Sequence, residues 1–130
     1  MSAVPPLAYD QIDLHHRLEA LDAAGLDRLD FGVIGIDAEN TVRRYNRFES
    51  NASGLAPHRV VGQPLFTVVA MCMNNFLVAQ RFEDAAADGS TLDATIDYVL
   101  TLRMRPQKVK LRLLAAPGLT GRYVLVQRAS

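Results

Sequence analysis

The last third of the chain constrains the fold most. Three stretches alternate between apolar and polar residues: "TLDATIDYVLTLRM" (91–104), "VKLRLLAA" (109–116) and "RYVLVQR" (122–128). A period of two sends successive side chains to opposite faces of a strand. In the first stretch Tyr98, Leu100, Leu102 and Met104 share one face, and Thr101, Arg103 and Arg105 the other. In the second, Val109, Leu111 and Leu113 oppose Lys108, Lys110 and Arg112. "RPQK" (105–108) and "PGLTG" (117–121) carry turn chemistry, so the three strands form an antiparallel meander. The apolar face of such a sheet has to be covered by the rest of the chain.

The covering elements are readable upstream. "FGVIGID" (31–37) is an apolar, β-branched strand, "DAEN" (37–40) a turn and "TVRRYN" (41–46) the returning strand of a hairpin. Short helical stretches follow. The clearest is "NNFLVAQRFEDAAADG" (74–89), with Asn74 or Asn75 as its cap, Gly89 as its stop, and Phe76, Ala79, Phe82 and Ala86 as its buried face. Near the N-terminus, Leu14, Leu18 and Leu21 recur at i, i+4, i+7, which predicts a helix from Asp10 ended by Gly25, with a short helical turn at Leu26 and Leu29. Pro5 and Pro6 mark a flexible arm before it. The order predicts an α+β fold, a five-stranded antiparallel sheet with a helical crossover, which is the architecture of a PAS domain. The division is an N-terminal arm and helical cap over 1–25 and the PAS domain over 26–130.

Composition narrows the function. The chain has 130 residues, enough for one domain, and 49% are hydrophobic. Fourteen basic residues balance fourteen acidic ones, which gives no global argument for nucleic acid or an anionic membrane. No apolar run approaches the roughly 18 residues of a membrane-spanning helix, and "MSAVPPLAYD" has no secretory-signal pattern. A single cysteine, Cys72, forms no internal disulfide and fits a reducing, cytoplasmic setting. The basic run from Arg103 to Arg112 alternates with apolar residues and reads as a solvated sheet face, without interleaved aromatics to stack bases. His15, His16 and His58 do not fall at metal-ligand spacings with Cys72. "AMCMNNF" differs from the "NCRFLQ"-like context of flavin-linked cysteines, and 74–89 contains no histidine to ligate haem.

Three residues carry chemistry: Tyr45, Glu49 and Cys72. Taken singly, each has an ordinary reading, as a core aromatic, a solvated loop residue and a small buried hydrophobe. Together they resemble the photoactive yellow protein family from about Leu26 to Arg128. "LDRLDFGVIGIDAENTVRRYN" resembles its first hairpin, Tyr45 and Glu49 keep its tyrosine-to-glutamate interval, "GQPLFTVVAMC" its glycine-to-cysteine segment, and "YVLTLRMRPQKVKL" and "YVLVQR" its late strands. The resemblance implies N-terminal helices on the sheet face away from Cys72. It also implies a blue-light photoreceptor, not an enzyme, with p-coumaric acid held as a 4-hydroxycinnamoyl thioester on Cys72. Tyr45 and Glu49 would meet the chromophore oxygen, Ser53 would support the tyrosine, and Val69, Leu100 and Met104 would line the same cavity. A buried phenolate needs donors, which implies a protonated Glu49. After light-driven isomerisation Glu49 would give up its proton. The uncompensated carboxylate left behind would then drive partial unfolding or release of the N-terminal helices.

The sequence departs from the family pattern at Met71 for a proline, "MNNF" (73–76) for a threonine-aspartate-serine-proline run, Ser53 for a threonine, Leu55 for an arginine lid and Leu100 for an aromatic. The expected partner is an unidentified downstream signalling protein, with the chain a monomer or weak homodimer. Two other readings stay open: a non-photoactive PAS module that binds a small ligand or a protein, and an acyl-transfer enzyme with Cys72 as nucleophile, disfavoured by the absence of a histidine near Cys72 in sequence.

Overall fold

Alternation in the strands divides the molecule into two cores, one on each face of a single sheet. The structure, a computed structural model, describes residues 7–101 and 106–128. Five antiparallel strands, β1 (Gly32–Ile36), β2 (Val42–Tyr45), β3 (Leu92–Leu100), β4 (Gln107–Ala115) and β5 (Arg122–Arg128), lie in the order β2-β1-β5-β4-β3. On one face Ile34 and Ile36, Leu111 and Leu113, and Val124 and Val126 pack beneath the crossover segment that joins β2 to β3. On the other face Val33, Leu114, Tyr123 and Leu125 pack with Leu14, Leu18, Leu26, Leu29 and Tyr9 from the N-terminal segment. The N-terminal helices therefore cover the face away from the crossover.

Local chemistry sets the boundaries. The first helix is split in two, α1 (Leu14–Ala20) and α2 (Ala23–Leu26), so Gly25 sits inside α2 instead of ending α1. The break follows from Asp22, whose carboxylate accepts from the Gly25 N–H and caps a new helix. The Arg44 guanidinium donates to the Leu18 and Leu21 carbonyls at the end of α1. The crossover contains α3 (Arg47–Ser53), α4 (Pro57–Val60), a π-helical turn (Leu65–Val69), a 3-10 turn (Met71–Met73) and α5 (Ala79–Asp88). Helix α5 begins later than its sequence pattern suggests. The Asn75 Oδ1 accepts from the Leu77 and Val78 N–H groups just before it, and Val78, Phe82 and Ala85 form its buried face. Phe76 and Ala86, expected inside, are exposed. Gly89 ends α5 in the left-handed region, φ 68°.

In the meander, β4 starts at Gln107, so Gln107 and Lys108 pair with Leu100 and Val99 and do not belong to the turn. The basic face of β4 is not wholly solvated either. Arg112 is buried, forked onto Asp93 at 2.9 Å through each of two nitrogens, and its Nη1 donates to the Tyr9 and Gln11 carbonyls at 2.9 and 2.8 Å. A second polar cluster fixes α1. Glu19 accepts from the Tyr123 hydroxyl at 2.6 Å and from the Gly121 N–H at 2.7 Å, and Arg44 donates to the same hydroxyl at 2.8 Å. Gly35 leaves room for this cluster, since a Cβ there would stand 3.0 Å from Arg44 and 3.1 Å from Tyr123. Burial disfavours the Glu19 carboxylate, but the Tyr123 hydroxyl, the Gly121 N–H and the charges of His15 and Arg44 outweigh it and hold its pKa below the ordinary glutamate value.

Candidate functional site

The site is assembled around Asn46, which follows β2 and caps α3. Its Oδ1 accepts from the Val33 N–H at 2.9 Å and the Glu49 N–H at 3.1 Å, while its Nδ2 donates to the Leu26 and Phe31 carbonyls, each at 3.0 Å. Asn46 is thereby fully satisfied, and it ties the first turn of α3 to β1. Tyr45 precedes it, opposite Ile34 in the hairpin register, and points into the crossover core. Its hydroxyl is 2.7 Å from the Ser53 Oγ, one helical turn beyond Glu49 on α3. The Ser53 Oγ also accepts from the Leu55 N–H at 3.2 Å. Either hydroxyl can donate in that bond, and when Ser53 does, the tyrosine O–H is left to donate elsewhere. Burial, then the negative charge of Glu49, push the Tyr45 phenol up to about 12, against smaller opposing effects of Ser53 and Arg128.

Glu49 is 1% exposed, and both of its oxygens are taken. Arg128, at the end of β5, donates from Nη1 to Oε1 at 2.7 Å and from Nη2 to Oε2 at 3.0 Å. The Arg128 side chain is only 9% exposed, and its Nε is held by the Gln107 Oε1 at 2.9 Å. Gly32 makes the space: a Cβ there would lie 2.0 Å from the Glu49 Oε1. The Glu49 oxygens are thus acceptors from Arg128, a partner that the expectation of a protonated, donating Glu49 did not include. A carboxyl that meets a guanidinium fork through both oxygens has the geometry of an ion pair. Arg128 is a cation that the expectation of an uncompensated Glu49 carboxylate did not count.

Cys72 lies in the 3-10 turn, half-buried against the crossover core, and it is a free thiol. Its backbone carbonyl is clamped by the Tyr98 hydroxyl at 2.5 Å and the Asn75 Nδ2 at 3.2 Å, and Asn75 also donates to that hydroxyl at 2.6 Å. Tyr98, Val109 and Arg128 stand side by side across β3, β4 and β5. Two interstrand spacings, about 10 Å, therefore separate the strand position that clamps Cys72 from the one that holds Glu49. Tyr45, Leu100, Val69 and Cys72 belong to one apolar cluster. Met104 lies outside the described residues. Cys72 does not line the surface pockets formed around Ala85 and Pro117, Tyr45 and Arg47, Lys108 and Gln127, or Glu19 and Tyr123.

Sequence reasoning did not identify Arg128, Gly32, Asn46, Tyr98 or Asn75 as site residues. For Arg128 the signal was available, because it continues the inward parity of Val124 and Val126 and is a charge on a buried strand face. The donor set fits an acylated thiol carrying a polar hydroxyl at its far end. It offers a half-buried free thiol, an apolar wall, a tyrosine hydroxyl bonded to Ser53 and a balanced ion pair.

No protein-family model matches the chain. The photoactive yellow protein of Rhodothalassium salexigens is 30% identical over 122 residues, 94% of this chain and 97% of that protein. That of Halochromatium salexigens is 31% identical over 116 residues, 89% and 92% of the two chains. Among solved structures, the photoactive yellow protein domain of the sensor histidine kinase Ppr from Rhodospirillum centenum superimposes with a TM-score of 0.79 at 35% identity, covering 87% of this chain and 98% of that one.

Proposed function

The chain belongs to the photoactive yellow protein family, and on that premise we propose that it is a blue-light photoreceptor carrying a p-coumaroyl group as a thioester on Cys72. When bound, that group supplies a conjugated, blue-absorbing chain that isomerises in light and a hydroxyl that exchanges a proton. The chain's own residues supply the rest. The Cys72 Sγ attacks the acyl carbon of an activated ester, and the activating group leaves with the bonding electrons and the thiol's proton. The clamp of Tyr98 and Asn75 on the Cys72 carbonyl fixes the turn from which the thiol projects. Val69 and Leu100 exclude water along the apolar wall, and Tyr45, positioned by Ser53, donates to the hydroxyl oxygen. Glu49 takes and returns the proton.

The observation that carries this reading is the half-buried Cys72 in the same apolar cluster as Tyr45, with the buried Glu49 one turn along α3 from the tyrosine's partner Ser53. The chain would act as the sensory part of a signalling system in the cytoplasm. Coexpression with enzymes that make activated p-coumaric acid tests it. A yellow protein whose colour bleaches under blue light and recovers in the dark is the expected outcome. A colourless, folded protein would favour a non-photoactive PAS module.

A further inference from the structure

The crossover core contains a charge pair that a simple proton-donor role for Glu49 does not use. Resting on the reading above, we infer that Arg128 is the positioning residue that fixes the charge of the site, balancing one negative charge that resides either on Glu49 or on the ligand's hydroxyl oxygen.

Three features point to this. Both Glu49 oxygens are engaged by one planar guanidinium at 2.7 and 3.0 Å, with both side chains almost wholly removed from solvent. The pair is built in: Gly32 is open where any Cβ would collide with the Glu49 Oε1, and Gln107 fixes the remaining Arg128 nitrogen. Glu49 and Arg128 both act on the charge of Tyr45 from β2, whose phenol stays protonated at neutral pH.

Charge counting then decides what loading does. In the ligand-free chain Glu49 and Arg128 sum to zero. If the ligand's hydroxyl enters protonated and ionises, its proton passes to a Glu49 oxygen, and Arg128 becomes the counter-ion of the ligand oxygen. The sum is again zero. When the proton returns, Glu49 regains its partner. The carboxylate formed in the light is therefore paired, and the structural change it drives is smaller than a stranded charge would cause.

Isotope-edited infrared spectroscopy of the ligand-free chain tests this without any photochemistry. At neutral pH the wild type should show no carbonyl stretch from a protonated glutamic acid. Arg128→Gln should show one, and it should vanish in Arg128→Gln/Glu49→Gln. A protonated-glutamate band in the ligand-free wild type that Glu49→Gln removes would overturn the inference, and that comparison does not depend on Arg128→Gln folding. So would a folded Arg128→Gln protein without the band. After loading confirmed by mass, the band should appear in the wild type when the ligand absorbs as its anion and stay absent when it absorbs as the neutral phenol; an ionised ligand without the band would also overturn the inference. Failure to load on Cys72 would overturn the proposed function instead and leave the ligand-free result standing.

Discussion

Arg112 and Arg128 lie on adjacent strands and on opposite faces of the sheet, and each grips a carboxylate through two nitrogens. Their surroundings differ. Asp93, the partner of Arg112, is 44% exposed, and the same guanidinium also holds the Tyr9 and Gln11 carbonyls. Glu49, the partner of Arg128, is sealed inside. Without its arginine, Asp93 turns to water, and the loss falls on the N-terminal segment. Glu49 has no water to turn to, and the loss falls on the core and on the charge of the site. The first fork is a fastener for an outer layer, and the second is part of the site's chemistry.

The largest expected effect follows from that difference. Arg128→Ala should cost about 3–5 kcal/mol in urea unfolding, and adding Glu49→Gln should recover most of it, because the cost is that of leaving an ionisable carboxyl buried without its partner. Gly32→Ala should cost about 1–3 kcal/mol by forcing the Glu49 carboxylate out of its place. Arg112→Ala should cost about 2 kcal/mol, and limited proteolysis should cut within residues 7–13 well before the crossover core is attacked. If Arg112→Ala proved as destabilising as Arg128→Ala, the contrast between the two faces would be lost.

A smaller effect concerns alkali. The folded chain keeps Tyr45 protonated up to about pH 12, whereas an unfolded tyrosine ionises near 10.0. The unfolded state therefore releases its proton first. The contribution is fully present below pH 10.0 and is lost as pH rises towards about 12. Urea midpoints should fall across that window, and Tyr45→Phe should flatten part of the fall, with the rest due to the similarly raised Tyr9 and Tyr123. At neutral pH the same substitution should cost about 1 kcal/mol, for the bond to Ser53.

Period-two patterns carried most of the architecture. The meander and the faces of Leu111, Leu113, Val124 and Val126 follow from alternation, whereas β1, buried along its whole length, was readable as a continuous apolar run bounded by turn residues. The helix boundaries were less readable, since side-chain bonds at Asp22 and Asn75 decide them and override the apolar spacing. Phe76 was expected inside by helical periodicity, yet it precedes α5 and is 75% exposed. For the site, residue types at Tyr45, Glu49 and Cys72 were visible. The ion pairing of Glu49 was not, because its partner is 79 positions away and reaches it only through the pairing of β1 with β5. The burial of Arg112 was hidden for a similar reason: its covering layer comes from the other end of the chain.

Acylation of Cys72 is the step on which the account of function rests, and intact mass with peptide mapping reads it directly. After incubation with an activated ester of p-coumaric acid, the wild-type chain should gain one p-coumaroyl group, mapped to the peptide containing Cys72 and released by hydroxylamine, and Cys72→Ala should gain none. An unchanged wild-type mass, or an equal gain in Cys72→Ala, would contradict it.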